Sequence, residues 1–179
     1  MYFPTLPLFL FISTLFTTSL SLPTTALKPR DYTSTTAKID TVISDLSGLE
    51  TTVIAFNGAP VDAQSIGAAA GKLDNDLRLA TADIGASTYS ISESAALRAL
   101  VVPLGPIHTN GLAALSAKVP MFAALGVTPQ VKDQLLQLSS DNDGFWTALA
   151  RKLAAGDRDA VAAAGNQARV AYQDAISEF

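Results

Sequence analysis

The sequence predicts an all-α fold, an up-and-down bundle of about five amphipathic helices. Three observations lead there. Apolar residues recur at alternating short spacings along most of the chain, which places them on one face of a helix. About one residue in six is alanine, the strongest helix former. No run alternates β-branched or aromatic residues with polar ones, as a half-buried strand would.

The first helix carries Ile39, Val42, Leu46, Leu49, Val53 and Phe56 on one stripe and stops at Asn57-Gly58-Ala59-Pro60. Asp62 is the expected N-cap of the second, whose stripe is Ile66, Ala70, Leu73, Leu77, Ala80 and Ile84. Ser90 or Ser92, with Glu93 nearby, begins the third. Its apolar face runs from Leu97 through Leu100, Val101, Leu104, Ile107, Leu112 and Leu115 to Phe122. Pro103 and Pro106 fall inside it, so a kink or a break into two helices is expected there. Thr128-Pro129 opens the fourth, with Val131, Leu135, Leu138, Phe145 and Leu149 facing inward and a distortion expected at Asn142-Asp143-Gly144. Beyond Gly156, the last helix turns Val161, Ala164, Ala168, Ala171, Tyr172 and Ala175 inward. Gly67 to Gly71 forms a small-xxx-small stretch, which predicts a close helix crossing.

The chain has 179 residues, enough for one domain with a substantial core. It is 49% hydrophobic and 16% charged, which excludes intrinsic disorder. A net charge of −4 with scattered Lys and Arg argues against nucleic acid, whose binding depends on phosphate neutralisation. There is no cysteine, so disulfides, thiol nucleophiles and cysteine zinc sites are excluded.

The N-terminus reads as a signal peptide over 1–26, with an apolar run from Leu8 to Phe16 that is too short to span a membrane. Lys28-Pro29-Arg30 is either a processing site or a linker, leaving 31–179 as a single helical-bundle domain. The C-terminus lacks a lipid-anchor signal and no N-glycosylation sequon occurs. A secreted or extracellular protein without a transmembrane anchor is expected.

No constellation of residues points to catalysis. His108 is the only histidine and has no cysteine or second histidine with which to hold zinc. A serine nucleophile would need its own motif and an orienting acid beside that histidine, and the motif is missing. Asp141-Asn142-Asp143-Gly144 resembles the start of a calcium loop, but Trp146 and Lys152 occupy the positions that need Gly and Glu. Asp74, Asp76 and Asp83 read as a solvated helix face. No enzymatic activity, cofactor or metal is expected.

Other residues carry a resemblance. Ile39-Asp40 to Leu49, Leu100-Val101-Val102-Pro103-Leu104, Leu112 to Leu115, Lys118, Phe122 to Gly126, and Val131, Leu135-Leu136, Leu138 and Phe145 follow one another in a familiar order. In this order the chain resembles the fungal hydrophobic surface-binding protein A family, which includes cell wall galactomannoproteins. It departs from wall-bound members in lacking a long Ser/Thr-rich tail, and in having the single basic Lys118 where the family often shows two basic residues. The resemblance implies an extracellular helical bundle with an apolar interior, in which some relatives hold fatty acids while others adsorb to hydrophobic surfaces.

The expected function is therefore non-enzymatic binding of fatty acids or other apolar small molecules inside the bundle. Adsorption to hydrophobic surfaces, with recruitment of secreted hydrolases, and a structural role in the cell wall are the alternatives. A long acyl chain buries about 14 methylenes, worth on the order of 11 kcal/mol before ordering costs. The candidate lining residues are Leu46, Val53, Leu73, Leu77, Leu100, Leu104, Ile107, Leu135, Leu138, Phe145 and Leu149. Ser92, Asn110 and Asn142 are candidate headgroup donors. The same apolar residues serve equally well as a solid core, and the alanines on the second and last helices equally well as close packing.

Overall fold

The computed structural model describes residues 31–179, so the signal peptide and the Lys28-Pro29-Arg30 segment lie outside the described residues. Seven helices follow one another: α1 (Tyr32–Ala55), α2 (Pro60–Ala86), α3 (Ile91–Val101), α4 (Leu104–Ser116), α5 (Val119–Ala124), α6 (Thr128–Lys152) and α7 (Ala155–Glu178). No β-sheet forms among the described residues. The expected third helix is three. Pro103 separates α3 from α4, and a second break at Ala117-Lys118, just before Pro120, frees the short α5. Pro106 causes no kink, because it lies in the first turn of α4, where backbone N–H groups have no helical partner.

The helix ends show where local chemistry wins. Asp31 caps α1 by accepting from the Ser34 amide at 2.9 Å. Helix α2 starts at Pro60, earlier than an Asp62 cap would allow, because proline is preorganised for the first helical position. Ser90 and Glu93 form a complete capping box at the start of α3. Gly58 and Gly126 take positive φ angles of 95° and 71° at the turns before α2 and α6. Helix α6 runs unbroken through Asn142-Asp143-Gly144, since its flanking apolar stripe is buried on both sides of that turn signal.

Five of the helices close into a ring. α1 packs against α2 and α4, α2 against α6, α6 against α7, and α7 against α4. Helices about 10 Å across leave an axial gap of roughly 3–4 Å radius when five are set in a ring. What fills that gap decides what the bundle can do. At one pole lie the start of α1 and the ends of α2 and α6, with α3 and the start of α7 against them, and there polar side chains lock the helices together. Thr35 donates to Asp83 at 2.8 Å, Tyr89 lies 3.0 Å from the Thr35 hydroxyl, and Lys152 donates to the Ser87 carbonyl at 3.1 Å. Ser94 donates to Asp157 at 2.6 Å and accepts from the Ala154 amide at 2.8 Å. Every one of these buried groups is partnered, which makes this pole specific as well as closed.

The closest crossings use glycines other than the pair in the small-xxx-small stretch. A Cβ on Gly165 of α7 would come within 2.8 Å of Trp146, and one on Gly105 of α4 within 3.2 Å of the Ala164 carbonyl. At Gly71 a Cβ would meet nothing within 4 Å and at Gly67 it would meet only the Gln134 side chain of α6, at 3.5 Å, so this stretch faces α6 at ordinary contact distance. Gly165→Ala is expected to cost about 1–3 kcal/mol and lower Tm by several degrees, as overpacking does. Gly71→Ala is expected to stabilise by up to about 1 kcal/mol through helix propensity. Thermal and urea unfolding of the two variants check both signs.

Candidate functional site

The opposite pole gathers the C-terminal halves of α1, α4 and α7 and the N-terminal halves of α2 and α6. Here the ring is not filled. A cavity of about 60 Å³ is walled by residues from all five ring helices. Helix α1 supplies Leu46, Leu49, Glu50 and Val53, and α2 supplies Ile66 and Ala70. From α4 come Ile107, His108, Gly111, Leu112 and Leu115, from α6 Val131, Gln134, Leu135 and Leu138, and from α7 Tyr172. This is well below the roughly 300–1,000 Å³ usual for small-molecule sites, so a long guest has to spread the surrounding side chains.

Small residues make the space. Ala70 stands where its neighbours on the α2 stripe are Ile66 and Leu73, and Gly111 presents only a hydrogen toward Glu50 of α1. A second hollow of about 280 Å³, open to solvent, shares the lining residues Ile66, Val131 and Gln134 with the first and is also lined by Phe122 of α5. Phe122 of α5 stacks on Phe56 at 4.6 Å between ring centres and meets Phe179 at 5.8 Å, so an aromatic cluster closes the floor of this pole. Lys118 ties the corner by donating to the Phe56 carbonyl at 2.8 Å and the Ile54 carbonyl at 3.3 Å, satisfying two orphan acceptors at the end of α1.

Of the sequence-derived lining set, Leu46, Val53, Ile107, Leu135 and Leu138 stand in the cavity wall. Leu73, Leu77, Leu104, Phe145 and Leu149 do not. They are buried in the solid part of the core, where the ring interior is filled. Leu100 is half-buried and packs against the edge of that core. None of the three candidate donors reaches the wall. Ser92 and Asn110 are exposed, and Asn142 is buried with its carbonyl oxygen accepting from the Trp146 indole at 3.1 Å. The periodic stripes name inward residues but not the level of the bundle at which the interior opens. For that reason Leu49, Ile66, Ala70, Leu112, Leu115 and Val131 are apparent from sequence only as core.

The wall has four polar side chains, Glu50, His108, Gln134 and Tyr172, and neither a lysine nor an arginine. Gln134 reaches the Gly67 carbonyl at 3.5 Å. His108 is buried, with Nδ1 donating to the Leu104 carbonyl at 2.8 Å and its ring 5.8 Å from that of Tyr172. A backbone carbonyl only accepts, so this bond fixes the neutral tautomer with the proton on Nδ1. Loss of solvation holds the imidazole below its ordinary pKa of 6.5, against a smaller opposite effect of the Leu104 carbonyl. Burial likewise pushes the Tyr172 phenol above its ordinary range. This wall is suited to enclosing an uncharged apolar body.

The lowered His108 pKa has a stability consequence with a definite sign. The unfolded histidine binds a proton more readily than the folded one, so the benefit of burying it neutral is complete above about pH 6.5 and drains away as pH falls below that value. Unfolding free energies measured from pH 7.5 to 5 are expected to fall more steeply for the wild type than for His108→Phe. Parallel curves would show that His108 binds its proton equally well in the folded and unfolded chains.

Comparison with known proteins agrees with this geometry. Residues 32–151 match the family of hydrophobic surface binding protein A. Among solved structures, AFMP4P in complex with palmitic acid is similar at 27% identity with a TM-score of 0.80, over 83% of this chain and 99% of that one. Ligand binding domain 2 of the Penicillium marneffei MP1 protein, complexed with multiple arachidonic acids, shares the fold at 15% identity and a TM-score of 0.77, over 83% and 96% of the two chains. Domain 1 of the same protein, complexed with arachidonic acids, does so at 16% and 0.75, over 80% and 94%. No curated protein matches the chain in sequence. With the family matched across most of its length, the chain belongs to the hydrophobic surface binding protein A family.

Proposed function

We propose that the chain is a non-enzymatic extracellular binder of fatty acids and related lipids, which it holds in the cavity at the open pole of the bundle. The observation that carries this reading is a mostly apolar hollow to which all five ring helices contribute, beside a second, solvent-open hollow lined by α2, α5 and α6. It is supported by the palmitic acid complex of AFMP4P, whose fold this chain shares at 27% identity. The binding residues in this reading are Leu46, Val53, Ile107, Leu135 and Leu138, joined by Ala70 and Leu112. Secretion by a signal peptide over 1–26, and a single mature domain over 31–179, belong to the same reading. No helix among the described residues is long and apolar enough to cross a membrane.

A second reading, adsorption to hydrophobic surfaces, is favoured by one observation. Ile54 at 59% exposure, Val61 at 64% and Met121 at 37% all lie around the α1–α2 turn and α5, at the same pole as the cavity. Such a patch suits contact with an apolar film, and opening of this pole would add the cavity lining to it.

Ala70→Phe separates the two readings, because it fills the cavity without touching the exposed patch. Titration of delipidated protein with palmitate, followed by native mass spectrometry, is expected to show binding by the wild type and at least a tenfold loss, about 1.4 kcal/mol, in the variant. Adsorption to a hydrophobic film should be unchanged. Equal palmitate binding by both proteins would place the ligand elsewhere.

A further inference from the structure

His108 is a buried polar group of the cavity wall, held at one ring nitrogen and without a partner at the other. Its Nδ1 proton goes to the Leu104 carbonyl, and no hydrogen-bond donor reaches its Nε2. Nε2 therefore carries a free lone pair, shielded from water, on a ring that forms part of the cavity wall beside Glu50, Gln134 and Tyr172. An unsatisfied buried acceptor costs on the order of 1–3 kcal/mol, which a ligand bringing a donor would recover. The same wall has no cation to meet a carboxylate, and its one charged group, Glu50, opposes an anion.

We propose that His108 Nε2 is the polar anchor of the cavity, and that it accepts a hydrogen bond from an uncharged hydroxyl on an apolar ligand. The ligand class is an apolar chain or ring system ending in a neutral O–H, either an alcohol or a fatty acid in its protonated form. An anionic carboxylate is disfavoured. This deepens the proposed function and rests on the cavity receiving an apolar guest. The lowered basicity of the buried ring fits the role, since a protonated imidazole would have no lone pair to offer.

The test uses delipidated full chain at pH 7.5 and three probes of equal chain length: hexadecanol, its methyl ether and palmitate. Affinities are measured by competition against a bound neutral fluorescent dye. Hexadecanol is expected to bind about tenfold more tightly than the ether, the worth of one buried hydrogen bond. In His108→Phe that preference should vanish while the ether still binds. With wild-type protein carrying ¹⁵N-labelled histidine, the Nε2 resonance should move upfield with hexadecanol and stay in place with the ether. This second measurement needs no variant.

Palmitate is expected either to bind more weakly than the alcohol, or to bind as the acid with His108 remaining neutral. Palmitate binding more tightly than the alcohol, with an Nε2 that becomes protonated, would overturn the proposed selectivity. Equal affinities for alcohol and ether, or a preference that persists in His108→Phe, would overturn the anchor while leaving the cavity as a lipid site. If none of the three displaces the dye, the lipid-binding reading itself fails.

Discussion

A ring of five helices cannot bring every apolar stripe to its axis without leaving space, and this geometric constraint governs the molecule. With helices about 10 Å across, the axial gap is wide enough for large side chains or for one acyl chain. Leucine, isoleucine and aromatic side chains fill it over the half of the bundle that includes Leu73, Leu77, Phe145 and Leu149. Over the other half, alanine and glycine at Ala70 and Gly111 leave it partly vacant. Close packing elsewhere keeps the ring from collapsing into this gap. Gly105 lets α4 approach Ala164 of α7, and Gly165 lets α7 approach Trp146 of α6, so both neighbours of α7 are set by contacts without slack.

The two poles divide the work of stability and binding. At the closed pole, a partnered polar network of Thr35, Asp83, Ser87, Tyr89, Ser94 and Asp157 replaces the disulfides that a cysteine-free chain lacks. Such a network resists sliding because each misregistered state strands a buried polar group. The open pole is held by softer contacts, the Phe56–Phe122–Phe179 cluster and the Lys118 bonds to the end of α1. In the proposed reading, a guest in the cavity displaces mainly apolar side chains and leaves the polar lock intact. Hydrophobic burial then supplies most of the binding free energy, with little directional recognition in the wall apart from Glu50, His108, Gln134 and Tyr172.

Much of this architecture is legible in the sequence, because helical periodicity, alanine content and proline–glycine punctuation are all local signals. The apolar stripes of α1, α2, α6 and α7 coincide with their buried residues nearly position for position. The division of the middle segment into α3, α4 and α5 is less visible. Leu112, Leu115 and Phe122 keep helical spacing across the break at Ala117-Lys118, and periodicity alone cannot distinguish one helix from two sharing a face. The cavity is harder still, since a stripe shows which residues face inward but not how far apart the facing helices stand. Leu77 and Leu135 look alike in sequence, yet one fills the core and the other borders a hollow. Nothing in the sequence shows which partners the two ring nitrogens of His108 find. The resemblance to the family supplied the functional expectation that the stripes could not.

The central claim is that one pole is a receptive hollow and the other a fixed clamp. Hydrogen exchange of the delipidated protein, with and without saturating palmitate, tests it most directly. Added protection is expected in the segments 46–53, 66–70, 107–115 and 131–138, with little change at 83–98 and 153–161. Protection spread evenly over the chain, or confined to the clamp, would contradict the division of the bundle into two unlike ends.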